Sequence, residues 1–131
     1  MKRTVLLHAE LSEVIARLGH GDLLVIGDAG LPIPDGPRRI DLAVSRDVPR
    51  FHDVLAAVLA EMKVESAVVA DELAGHNAVV NMELRRQLHG MVLETVPHAD
   101  FKSMTRTARA VVRTGECSPY ANVILRAGVV F

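Results

Sequence analysis

In the stretch Leu23-Leu24-Val25-Ile26-Gly27-Asp28-Ala29-Gly30-Leu31-Pro32-Ile33-Pro34, four apolar residues run into a glycine-rich turn and then into a segment with two prolines. The apolar run, bounded by turn residues, reads as a buried strand. The prolines lack the N–H that a helix or a central ladder needs, so a loop must leave the carboxyl end of that strand. Upstream, Leu11, Val14, Ile15 and Leu18 recur at helical spacing and Gly19 supplies a stop. Downstream, Ile40, Leu42 and Val44 alternate with Asp41 and Ala43 as a half-buried strand, and Pro49 suits the first turn of a helix burying Val54, Leu55, Val58, Leu59 and Met62. Val64 to Ala70 is a strand, Asn77 caps a helix carrying Val80, Leu84 and Leu88, and Gly90 ends it. Met91 to Val96 is another strand, and Phe101 and Met104 mark a short helix. Ala108 to Arg113 and Asn122 to Leu125 are the last strands, around a turn from Gly115 to Pro119. This alternation predicts one α/β domain over residues 1–131, a mixed sheet covered by helices.

The size agrees with one core. Surface scaling predicts about 6,800 Å² exposed when folded against about 20,600 Å² unfolded. Half of the residues are hydrophobic and the mean hydropathy is +0.24, an excess that suggests burial against other subunits. The 15 Lys and Arg nearly cancel 16 Asp and Glu, so no net field favours nucleic acid. Aromatic residues make up only 3%, too few for base-stacking platforms, and a small ligand must be held mostly by hydrogen bonds. A single cysteine, Cys117, allows no internal disulfide. No secretory signal or membrane-length apolar run is apparent, and a cytoplasmic protein is expected.

The candidate chemistry lies in the loops, because open α/β sheets bind ligands beyond the carboxyl ends of strands. His20, between Gly19 and Gly21, reads as a turn residue or as a histidine displayed to a ligand. His98, after Pro97, reads alone as a helix cap. His8, His52, His76 and His89 read as surface or packing residues. Tyr120 and Asn122 flank Ala121 at the start of a strand, where alternation would put both on one side, and Asp28 would add an acceptor for sugar hydroxyls. His20, Asp22, Asp28 and His98 could supply metal ligands, but no local pair fixes two of them on one element. Cys117 reads as a buried small hydrophobe sooner than as a nucleophile. The Gly27–Gly30 turn has neither Rossmann spacing nor a P-loop lysine.

The segments Leu18-Gly19-His20-Gly21-Asp22, Asp28-Ala29-Gly30-Leu31-Pro32-Ile33-Pro34 and Gly115-Glu116-Cys117-Ser118-Pro119-Tyr120-Ala121-Asn122, with Arg39-Ile40-Asp41 and Ala127-Gly128-Val129, resemble the ribose pyranase and fucose mutarotase family end to end. The Asp28–Pro34 run favours the ribose branch. The resemblance implies a cofactor-free isomerase that interconverts the pyranose and furanose rings of free D-ribose and feeds ribokinase. It implies His20 as proton donor, with Asp28, His98, Tyr120 and Asn122 on the sugar. It also implies a ring-shaped homo-oligomer, a decamer of two pentamers with sites between neighbours, in which Tyr120 or Asn122 completes a neighbour's site. Pro97 departs from the family pattern, which leads one to expect a residue such as threonine. Alternatives are a mutarotase of another free aldose such as fucose, a noncatalytic ribose-binding oligomer, and a metal-dependent sugar isomerase.

Overall fold

Successive residues of Leu23–Gly27 (β1) point to opposite faces and both faces are covered, so Leu24, Val25 and Ile26 are all fully buried. A computed structural model describes residues 1–131. Five further strands join β1: Arg38–Asp41 (β2), Val64–Ala70 (β3), Val92–Val96 (β4), Ala110–Arg113 (β5) and Val123–Ala127 (β6). The sheet order is β2-β5-β1-β6-β3-β4. All pairings are parallel except those of β6, which runs antiparallel between β1 and β3. The total exposed surface, 7106 Å², is close to the expected figure.

The two faces are covered unequally. Ala9–Arg17 (α1), Phe51–Leu59 (α2), Glu72–His76 (α3) and Ala78–Gln87 (α4) send Leu11, Leu55, Leu73 and Leu84 onto the face holding Leu24, Ile26, Ala67 and Leu125, a cluster of 24 buried residues. The other face buries only seven, including Val25, Val68, Val111 and Ile124. It is closed by Phe101 of His98–Met104 (α5) and by Leu31 of the proline loop.

Three local expectations shift. β2 starts earlier and stops at Asp41: the Leu42 N–H still donates to the Arg113 carbonyl (2.9 Å), but the next donor on that side, the Val44 N–H, goes to the Val48 carbonyl (2.9 Å) in a tight turn with Asp47 at φ +59°; Val44 is left exposed. Pro49 precedes α2 instead of opening it, and its carbonyl accepts the Gly115 N–H (2.9 Å). α3, five residues long with Gly75 inside, is too short for a periodic signal and has no counterpart in the sequence reading. Asn77 caps α4 as expected, accepting from the Val80 N–H.

Candidate active site

Because β6 is antiparallel, its start lies at the same edge of the sheet as the carboxyl ends of β1, β3, β4 and β5. That edge therefore gathers Asp28 after β1, His98 after β4, and Tyr120 and Asn122 before β6. Asn122, 1% exposed, accepts the Asp28 N–H through Oδ1 at 2.8 Å, across 94 residues of sequence. Gly27 permits this approach: a Cβ there would lie 3.0 Å from Asn122 Oδ1 and 2.5 Å from the Leu31 side chain. Asp28 Oδ1 in turn accepts the Gly30 N–H (2.9 Å), which makes the turn entering the proline loop.

Burial pushes the Asp28 carboxyl above its ordinary value, against the opposing pull of the Gly30 N–H and the nearby His98. A raised folded value means that the folded state holds the proton more tightly than the unfolded one. Stability from that source is present at low pH and is lost as pH rises through the folded value. Asp28→Asn, which keeps the acceptor for Gly30, should therefore melt above the wild type at neutral pH. The gap should close as pH falls toward the ordinary aspartate range. Thermal melts across pH check this; a pH-independent loss of stability in the variant would contradict it.

His98 is the first residue of α5 and not its cap, a position taken by Pro97. Pro97 fits because a residue before proline prefers extended backbone, and Val96 is the last residue of β4. The Glu72 carboxylate accepts the His98 N–H at 3.0 and 3.2 Å. The His98 ring stacks on Phe101 and meets Tyr120 edge-on, with centroids 5.1 Å apart. Its Nδ1 is buried and takes no hydrogen bond from the chain. Tyr120 has φ +57° and does not lie on β6, so strand alternation does not relate it to Asn122. Both still face this site, through a turn held by side chains. Glu116 accepts the Phe51 N–H and the Ser118 hydroxyl, while Asn77 donates to Ser118 Oγ (2.9 Å) and to the Pro119 carbonyl (2.8 Å).

His76, read from sequence as a surface or packing residue, lies with its ring 5.4 Å from that of Tyr120. It brings a second imidazole, beside that of His98, to this edge. No local motif marks it; only the close approach of α3 to the 119–120 turn does.

His20 stands elsewhere. It precedes β1 while Asp28 follows it, and five strand residues at about 3.3 Å each put roughly 16 Å of sheet between them. At that opposite edge His20 is exposed and pairs with Glu65, Nε2 to Oε2 at 2.6 Å. Tyr120 and Asn122 thus share an edge with Asp28 and His98 of their own chain, and His20 is the residue set apart. The possible metal donors are divided likewise, His20 and Asp22 from Asp28 and His98. Cys117, expected to be buried, is exposed in the 115–119 turn. No helix is long and apolar enough to cross a membrane.

Residues 1–130 match the profile of the RbsD / FucU transport protein family. The chain is 59% identical over 133 residues to a D-ribose pyranase of Variovorax paradoxus and 61% identical over 131 residues to one of Paracidovorax citrulli, covering all of both proteins in each case. Among solved structures it resembles Bacillus subtilis RbsD complexed with D-ribose, with a TM-score of 0.97 and 43% identity over the whole of both chains. It also resembles the Streptococcus pneumoniae fucose mutarotase in complex with L-fucose, with a TM-score of 0.84 and 25% identity over the whole of both chains.

Proposed function

The chain belongs to the RbsD / FucU transport protein family, and we propose that it is an isomerase interconverting the pyranose and furanose forms of free D-ribose. The observation that carries the reading is full-length identity of 59–61% to proteins named D-ribose pyranase, supported by likeness to a relative solved with D-ribose.

The chemistry needs one acid and one base. To open the pyranose, the anomeric hydroxyl gives up a proton, the bond from the anomeric carbon to the ring oxygen breaks, and that oxygen takes a proton. The aldehyde is then attacked by the other hydroxyl, which loses its proton as the carbonyl oxygen regains one. His20 is assigned as proton donor, since imidazole exchanges protons readily near neutral pH. Asp28, His98 or a bound water serves as base, and Tyr120 and Asn122 hold hydroxyls by donating and accepting. A neutral sugar requires neither phosphate-binding groups nor a cofactor for this exchange.

His20 lies too far from the other four residues of its chain to meet the same sugar. The reading is therefore that a second copy brings its His20 to the Asp28–Asn122 edge, within a ring-shaped assembly of two pentamers. The furanose formed would go to a ribokinase in the cytoplasm.

Magnetisation-transfer NMR on labelled D-ribose tests the activity. The protein should speed pyranose–furanose exchange, with or without chelator, and more for D-ribose than for L-fucose. Unchanged exchange in the presence of folded protein would leave a binding module. A preference for L-fucose would move the substrate, and a ketose product lost with chelator would make it a metal-dependent isomerase.

A further inference from the structure

We propose that Glu65 is the positioning residue for His20, holding its Nε2 so that Nδ1 is the nitrogen presented to the sugar. The proposal rests on the reading of His20 as proton donor.

The loop that displays His20 is pinned on three sides. Asp22 Oδ2 accepts the Gly19 N–H (2.9 Å), Arg109 donates to Asp22 Oδ1 (2.9 Å), and Gly21, at φ +83°, donates its N–H to the Ala127 carbonyl (2.8 Å). The imidazole is thus carried on fixed backbone at the end of the sheet. Glu65 reaches it from β3, two strands from β1, with β6 between them.

Glu65 is aimed there by an irregularity in the ladder. Val64 pairs with Ala127 and Ser66 with Arg126, so Glu65 is an extra residue between two consecutive pairs. The core records the same shift. Val64 and Ala67, three apart and hence on opposite faces of a regular strand, both belong to the larger core cluster. A bulge of this kind re-aims one side chain and interrupts pairing, and such features gather beside functional sites. The strand end also passes close by: a Cβ on Gly128 would lie 3.3 Å from Glu65 Cβ.

Stability does not account for the pair. His20 and Glu65 side chains are 62% and 48% exposed, and exposed ion pairs contribute little. Proton logic does. An ionised carboxylate only accepts, so the hydrogen in the 2.6 Å contact is on Nε2. In the imidazolium the second N–H is Nδ1–H, and it is this proton that passes to the ring oxygen. The neutral ring that remains keeps Nε2–H on Glu65 and offers the Nδ1 lone pair to recover a proton. An orienting carboxylate does the same for the histidine of a catalytic triad.

Two readouts separate this from a structural role. In the wild type, imidazole ¹⁵N shifts of neutral His20 should show Nε2–H alone; in Glu65→Ala they should move toward a mixture of tautomers, and in Glu65→Gln they should stay nearer the wild type. In ribose exchange, Glu65→Ala should lower kcat about tenfold to a hundredfold with KM little changed, and Glu65→Gln should lose less. Added to His20→Ala, Glu65→Ala should cost nothing further. Unmoved ¹⁵N shifts, or equal losses with and without His20, would overturn the proposal. A wild type that does not speed ribose exchange would instead overturn the reading of function.

Discussion

His20→Ala should slow ribose exchange about 10²- to 10⁴-fold, the span of a lost general acid, Asp28→Asn should slow it as well, and mixing the two should restore about a quarter of the wild-type rate. The recovery follows from the separation of His20 from the Asp28, His98, Tyr120 and Asn122 group, roughly 16 Å along β1. If a site takes His20 from one copy and Asp28 from its neighbour, a working site needs a His20→Ala chain on the Asp28 side and an Asp28→Asn chain on the other. Random reassociation of equal amounts gives each with a chance of about one half, hence about one quarter together. The check is to dissociate the two variants, mix and reassemble them, then read exchange by NMR. Were one chain able to build the whole site, every mixed assembly would stay as slow as the variants alone. Folded monomers that keep full activity would equally refute a shared site.

Gly115→Ala is expected to have the largest effect on stability. A Cβ at this position would lie 2.4 Å from the Val48 carbonyl oxygen, 2.6 Å from that of Ser45 and 2.6 Å from the Val48 carbonyl carbon. All three are backbone atoms, so no rotamer change relieves the overlap. Moving the strand end away would break the hydrogen bonds from Gly115 N to the Pro49 carbonyl and from Asp47 N to the Gly115 carbonyl. A cost of about 3 kcal/mol or more is expected, a large part of the roughly 5–15 kcal/mol of a domain, lowering Tm by about 10 °C. Activity should fall too, because the displaced segment leads into Tyr120 and Asn122. Gly75→Ala is the control, since a Cβ there meets nothing within 4 Å. A Gly115→Ala protein that melts with the wild type would show that the 45–49 turn yields freely.

The readings that succeeded from sequence were local. Leu11, Val14 and the Gly19 stop mark α1, and the Leu23–Ile26 run marks β1, because periodicity reports which positions face a core. Errors gathered where a long-range partner decides. α2 begins after Pro49 because Glu116, 65 residues away, accepts the Phe51 N–H, whereas β2 ends for a local reason, the Val44 N–H turning to the Val48 carbonyl. Tyr120 and Asn122 do share one edge of the sheet, but not through strand alternation: Tyr120 is in a left-handed turn, not on a strand. His76 carried no signal at all, since its only distinction is proximity to Tyr120.

The sequence by itself determined the order of the strands and of the helices other than α3 and, through motifs such as Gly19-His20-Gly21-Asp22 and Asp28–Pro34, the family. Both are properties of adjacent residues: hydrophobic period, turn chemistry, and the identities along a motif. Only the tertiary structure decided that β6 enters antiparallel between β1 and β3, so that Asn122 reaches Asp28 after β1, while His20, just before β1, lies at the far edge. Strand partners are chosen by backbone hydrogen bonds and packing between segments distant in the chain, and a strand's own length holds its two ends apart.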